Sequence, residues 1–331
     1  MVVVTNPRPL STGALAVATC LALSACGSSD APGAGAAGSS SDAARVQVVA
    51  SFYPLQFVTE RVAGDLAAVT NLTPPGAEPH DLELAASDVA ALSDADLVVY
   101  ESGLQAAVDD ALASSDAPTY DVSEDADLDL TYAEEHGEEH AEEHAGEEHA
   151  EGEEHAHEGT DPHFWLDPLR LAAVGDAVAE HLSDADPDNA GAYADGAASL
   201  RSDLEALDAE MTRGLADCAS TDLVTSHEAF GYLAERYGLT QVGISGLSPD
   251  DEPTPARLAE VADFVTEHQV RTIYFETLVS PDLAETVAAE TGATTAVLDP
   301  IEGLTDDSAG SDYLEVMRAN LAALAEGQGC S

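Results

Sequence analysis

The chain has 331 residues and no lysine: its ten basic residues are all arginine, against 64 acidic ones, for a formal net charge of -54. That balance excludes the basic surface that phosphate backbones require, so nucleic acid is not a partner. It favours attraction of cations or solubility, and solubility alone accounts for most of an acidic surface. Long apolar runs are also missing. The only one lies near the N-terminus, from Ser11 to Leu23, and nothing later reaches the roughly 20 residues of a membrane span. No HExxH metallopeptidase motif occurs anywhere in the chain. Hydrophobic residues still make up 45% of the total, enough for one large domain or two of ordinary size.

The N-terminal run reads as a targeting segment: Arg8, the apolar stretch, then Leu23-Ser24-Ala25-Cys26, which resembles a bacterial lipobox. Residues 1–26 are expected to be a lipoprotein signal with Cys26 as the acylated residue; an ordinary signal peptide with an incidental cysteine is the alternative. Residues 27–44, mostly Gly, Ala, Ser and Asp, read as a tether. The body is thus expected outside the cytoplasmic membrane, anchored to its outer face by lipid. An exported location permits a disulfide. Cys218 and Cys330 are the cysteines left in the mature body, and a bridge between them would close a long loop, contributing up to about 4–5 kcal/mol in the chain-entropy account. Two free thiols are the alternative.

The segment from Glu134 to His163 has almost no apolar residue. It sets His136, His140, His144, His149, His155 and His157 among twelve glutamates. It cannot bury enough surface to offset its own ordering, so a mobile loop over 134–158 is predicted. Imidazole and carboxylate are zinc ligands, which makes these histidines accessory, weak metal sites. The tract either captures zinc for a better site, senses or buffers excess zinc, or is an inert acidic spacer. An ion bound there must order the loop, so its affinity falls below that of a preformed site.

Either side of the tract, short β-like runs alternate with helical ones. Strands are predicted at 45–51, 66–72, 96–100 and 119–122, then at 222–225, 240–242, 271–275 and 294–298. Helices are predicted at 82–93, 105–113, 169–182, 228–238, 255–268, 281–291 and 312–325. A proline-free stretch from Asn189 to about Leu215 reads as one long helix of roughly 40 Å, although Gly191 and Gly196 weaken it. The fold class is α/β: two lobes, 45–186 and 217–331, each with a central, mostly parallel sheet flanked by helices. The long helix, 187–216, joins them, and the cleft between them is the candidate site.

Ligands on α/β sheets sit at the carboxyl ends of strands. His80, His227 and Asp299 follow strands, and His163 stands at the junction after the tract. Three imidazoles and a carboxylate suit tetrahedral zinc; spacing alone does not establish that they converge. Around these residues lie PPGAEPHDLEL, DPHFWLDP, SHEAFGYLAERYGL, YFETLVSPDLAETVAAETGA and the LDP at Asp299. Together they resemble the signature segments of the zinc-binding, ZnuA-like substrate-binding lipoproteins of bacterial metal ABC importers (the cluster A-I metal-binding family), over about residues 45 to 326. The resemblance implies a bound, transported Zn2+ in the interlobe cleft held by His80, His163, His227 and Asp299. It also implies a permease and an ATPase as partners and binding without turnover; a monomer is expected. In manganese- and iron-type relatives a glutamate stands where His227 does, and imidazole there favours zinc.

Other residues carry less. Glu78 lies near His80 but is redundant if Asp299 is the carboxylate ligand. Glu276 reads as a hydrogen-bond acceptor at a strand end. Asp161 and Asp167 either accept the free N–H of His163 or cap the next helix. His181 and His268 read as surface residues, Phe164 and Trp165 as packing beside His163, and Tyr232 and Tyr237 as core or rim of their helix. Three rival functions remain: a manganese or iron binder of the same family, an adhesin or zinc-sequestering lipoprotein, and an exported zinc hydrolase with Glu228 as base. The hydrolase lacks a motif, and a fourth protein ligand would fill the position that catalytic zinc keeps for water.

Overall fold

The computed structural model describes residues 45–131, 159–249 and 251–331. The signal segment, the tether, Cys26 and the six tract histidines lie outside the described residues.

Two four-stranded sheets, parallel throughout, organise the chain. The first has the order β2-β1-β3-β4, from β1 (Val46–Ala50), β2 (Ala67–Asn71), β3 (Leu97–Tyr100) and β4 (Thr119–Asp121). The second repeats the pattern as β6-β5-β7-β8, from β5 (Asp222–Thr225), β6 (Thr240–Gly243), β7 (Thr272–Phe275) and β8 (Thr294–Val297). In each sheet the chain starts in an inner strand, steps to one edge, then crosses to the other side. All the strand ends that carry polar loops therefore point the same way within a sheet.

The helices are α1 (Tyr53–Ala63), α2 (Ala86–Asp94), α3 (Ala106–Leu112), α4 (Ser123–Ala126), α5 (Pro168–Ala185), α6 (Ala190–Gly214), α7 (Gly231–Tyr237), α8 (Pro255–His268), α9 (Asp282–Thr291) and α10 (Tyr313–Gly327). α5 begins where Asp167 caps Leu169 N–H at 2.8 Å and Pro168 presets the first turn. α6 is the long helix, 25 residues running unbroken through both glycines. Its buried stripe, Tyr193, Ala197, Leu200, Leu204, Leu207 and Met211, recurs every three to four residues and faces α1, α5 and α10. Gly196 is where α6 crosses α1: a Cβ there would overlap the Val62 carbonyl, so the glycine that lowers helix propensity permits the closest packing. Gly191, by contrast, has open space around it.

Hydrophobic residues from both sheets and from α1, α5, α6, α7 and α10 form one continuous buried cluster, with Val48, Trp165, Leu200, Leu223 and Met317 among its members. Two smaller clusters fill the outer faces of the two sheets. Several predicted boundaries shift: the helix expected at 82–93 begins at Ala86, and residues 187–189 form a 3-10 turn ahead of α6. Residues 228–230 stay outside α7, because the Glu228 N–H bonds Gly246 O at 2.8 Å across the loops and not along a helix. The one-turn α4 carries too little periodicity to predict. Cys218 and Cys330 are joined by a disulfide that ties the end of the chain to the approach to β5.

Candidate metal centre

His80 and His227 stand on connections that follow strands and His163 just ahead of a 3-10 turn, and the backbone beside His227 is tightly bonded. After β5 the chain keeps pairing with its neighbours: Ser226 N–H donates to Tyr274 O at 2.9 Å, and Ser245 N–H to Ser226 O at 2.8 Å. The Thr225 hydroxyl bonds His227 O at 2.6 Å. His227 is thereby delivered to the cleft with 1% side-chain exposure. His163 is fully buried, stacked edge-on against Trp165 at 5.3 Å, and opens a 3-10 turn over 164–166. His80 comes from the irregular segment between β2 and α2 and keeps 12% side-chain exposure.

The three imidazoles meet one carboxylate. Nε2 of His163 lies 3.1 Å from Glu302 Oε1, and Nε2 of His80 and of His227 each lie 3.5 Å from the same atom. His80 Nε2 and His163 Nε2 are 3.3 Å apart. One ligand atom from each of the four residues falls within 4.8 Å of every other. Bonds near 2 Å at tetrahedral angles would put neighbouring donors roughly 3.3 Å apart, so the spacing suits one small cation.

The protons are committed elsewhere. His163 Nδ1–H donates to Asp161 Oδ1 at 2.8 Å, and His227 Nδ1–H to Glu276 Oε1 at 2.6 Å, an atom that also accepts the Ser226 hydroxyl at 2.6 Å. A carboxylate on Nδ1 sets the tautomer and leaves the Nε2 lone pair facing inward. His227 Nε2 and Glu302 Oε2 are buried without a hydrogen-bond partner. Convergent buried acceptors without a donor are costly until a cation or protons fill the space.

Charge in the cluster follows. Burial pulls His163 and His227 down, but the carboxylates against them outweigh it and both sit above the ordinary histidine value. Burial pushes Glu302 up, yet the three imidazoles hold it well below the usual carboxylate range. Glu78 is different: burial first and the Glu302 charge second push it up to about 9, so it stands beside the cluster as a neutral acid. One of its oxygens accepts His80 N–H at 3.3 Å.

Asp299 does not join the imidazoles. Its Oδ1 accepts Ile301 N–H at 2.8 Å and its Oδ2 the Thr277 hydroxyl at 3.2 Å. The carboxylate that faces the histidines is Glu302, three residues on, which the sequence reading did not single out. Asp299 is the first charged residue past β8 and so fits the strand-end rule. The chain, however, turns back through Ile301 at φ +61° before it reaches the cleft. The signal available in the sequence was a second carboxylate in the same loop, at Glu302.

The remaining residues fall outside the cluster. Asp161 bonds His163 and Asp167 caps α5. Tyr232 is buried and donates its hydroxyl to Asp161 O at 3.1 Å. His181 is half-buried and stacks on Tyr120 at 4.3 Å, which moves it off the open surface; His268 is exposed and stacks on Phe264 at 4.0 Å. Glu228 turns toward Arg257, 3.4 Å away.

A family model described as "Zinc-uptake complex component A periplasmic" matches residues 48–327. The chain belongs to the ZnuA family. The zinc-binding lipoprotein AdcA of Streptococcus pneumoniae is 40% identical over 286 residues, covering 85% of this chain and 55% of AdcA, so the chain spans about half the length of that relative. The high-affinity zinc uptake protein ZnuA of Bacillus subtilis is 36% identical over 319 residues, covering 94% of this chain and 96% of that one. Among solved structures, the laminin-binding protein Lmb of Streptococcus agalactiae, described as having adhesin and metal-transporting activity, superposes with a TM-score of 0.73 at 35% identity, over 86% of this chain and 99% of Lmb. Zn(II)-bound AdcA superposes with a TM-score of 0.69 at 36% identity, over 86% of this chain and 58% of that structure. The ZnuA-family fold thus supplies the frame, two parallel sheets and a long helix, on which this chain sets a cluster of three histidines and one glutamate.

Proposed function

We propose that the chain is the extracytoplasmic capture component of a zinc importer. It holds one Zn2+ through Nε2 of His80, His163 and His227 and a carboxylate oxygen of Glu302, and passes it to a membrane permease driven by an ATPase. The observation that carries the reading is the inward convergence of the four ligand atoms, with two Nδ1 protons already donated to Asp161 and Glu276. Three imidazoles with one carboxylate favour zinc over harder ions such as manganese.

Binding is without turnover. Four protein ligands leave no open position for an activated water, and Glu228, the conceivable base, is engaged with Arg257. The lipobox at Cys26 supports a lipid anchor on the outer face of the cytoplasmic membrane, and AdcA is named a lipoprotein. The tract is an accessory. Its flanks meet where Thr131 bridges Thr160 and where Asp161 N–H bonds Leu130 O at 2.9 Å, two residues from His163.

Calorimetric zinc titration of three proteins tests this: the intact chain, a deletion of 134–158, and His227→Ala. One tight site should survive the deletion and be lost with the histidine. A tight site that leaves with the tract would overturn the assignment.

A further inference from the structure

The segment that carries Glu302 is gripped from three sides. Asn320 on α10 holds the Asp299 main chain in both directions: Asp299 N–H donates to Asn320 Oδ1 at 3.0 Å, and Asn320 Nδ2 donates to Asp299 O at 2.7 Å. The Asp299 carboxylate takes Ile301 N–H at 2.8 Å. From the other side, Trp165 donates its indole N–H to Pro300 O at 2.7 Å. Trp165 lies two residues after His163, and its own carbonyl accepts the Tyr313 hydroxyl of α10 at 2.5 Å. Asn320 is 3% exposed and Tyr313 fully buried.

Between these grips Ile301 sits at φ +61°, a left-handed conformation that a β-branched residue adopts only where its surroundings impose it. Ile301 is itself fully buried. The turn through Ile301 brings the Glu302 carboxylate to the imidazoles, so whatever holds the turn also aims Glu302.

We propose that Tyr313 and Asn320 are positioning residues that set the separation of His163 and Glu302. The proposal rests on the ligand set above. Seven residues apart, they lie on one face of α10, two turns from each other. Tyr313 references the His163 segment and Asn320 the Glu302 segment. One helix is therefore the common ruler for a ligand after the first sheet and a ligand after the second. It acts through the backbone and touches neither ligand atom.

The test compares the intact protein with Asn320→Ala and Tyr313→Phe. Three quantities are read: the zinc dissociation rate into a chelator, the visible absorption of bound Co2+, and the melting temperature of the metal-free protein. Asn320→Ala should release zinc about tenfold faster or more, on the scale of other indirect supports of metal ligands, and Tyr313→Phe should release it faster by a smaller factor. Both should alter the Co2+ spectrum, which reports ligand geometry. Melting shifts with unchanged dissociation and an unchanged Co2+ spectrum would show a merely structural role and overturn the proposal. Tyr313→Phe removes a single oxygen, and it decides the matter alone if Asn320→Ala does not fold. An intact protein that binds neither Zn2+ nor Co2+ would overturn the ligand set and this inference together; tight binding unaffected by both substitutions would overturn this inference only.

Discussion

At the scale of single residues, the metal-free cluster is a proton site as well as the proposed metal site. The folded values of His163 and His227 lie above the ordinary 6.5, so their protonated forms stabilise the metal-free protein below that value and the gain is lost as pH rises through the raised values. Glu302 lies below the ordinary 4.5, so its contribution is present above that value and fades as pH falls through its lowered one. Zinc must displace the imidazole protons. Lowering the pH from about 8 to about 6 should therefore weaken zinc binding while it raises the melting temperature of the metal-free protein. Calorimetry and thermal melts over that range check both halves, and parallel trends would contradict the network. Glu276→Gln keeps an acceptor for His227 but removes its charge, and should cost about 10–100-fold in zinc affinity. Glu302→Gln should abolish tight binding. Asp299→Asn should keep the site, because Asp299 serves the turn and not the ion.

That last contrast marks where the sequence stops being legible. His80, His163 and His227 each sit in a loop beside a strand end or helix start, and position alone brings them into consideration. The carboxylate is different. Asp299 and Glu302 stand in the same short loop, and the choice between them depends on a left-handed isoleucine and an asparagine twenty-one residues away. Neither leaves a mark in composition or periodicity.

At the scale of elements, the strands and the longer helices follow from period and punctuation, because each is amphipathic or bounded by Gly, Pro or Asp. α6 is instructive. Its glycines argue against a helix on propensity, yet the stripe from Tyr193 to Met211 outweighs them by burying a face along its whole length. Gly196 does what no other residue can, since any side chain would meet the Val62 carbonyl of α1. Gly196→Ala should therefore destabilise by about 1–3 kcal/mol despite the gain in helix propensity. Gly191→Ala, with free space around it, should be neutral or mildly stabilising. Urea denaturation of the two variants provides the comparison.

At the scale of the whole molecule, the continuous apolar cluster runs from the first sheet through α5, α6 and α10 to the second. Opening a hinge would expose that cluster, so metal release should proceed by local movement. His80 is the most accessible of the four clustered residues, at 12% side-chain exposure, and it comes from the irregular segment between β2 and α2. Crystals with and without zinc should show closely superposable lobes and a displaced His80 segment; a large rotation of one lobe would contradict this.

The bond between Cys218 and Cys330 makes the C-terminal lobe a covalent ring, with all four strands of its sheet, Glu302 and the whole of α10 inside the closed path. A single cut anywhere from 219 to 329 opens the ring without dividing the molecule. His227, Glu302 and the helix behind them stay attached to the lobe that carries His80 and His163, and a nicked molecule keeps the four clustered residues on one covalent body.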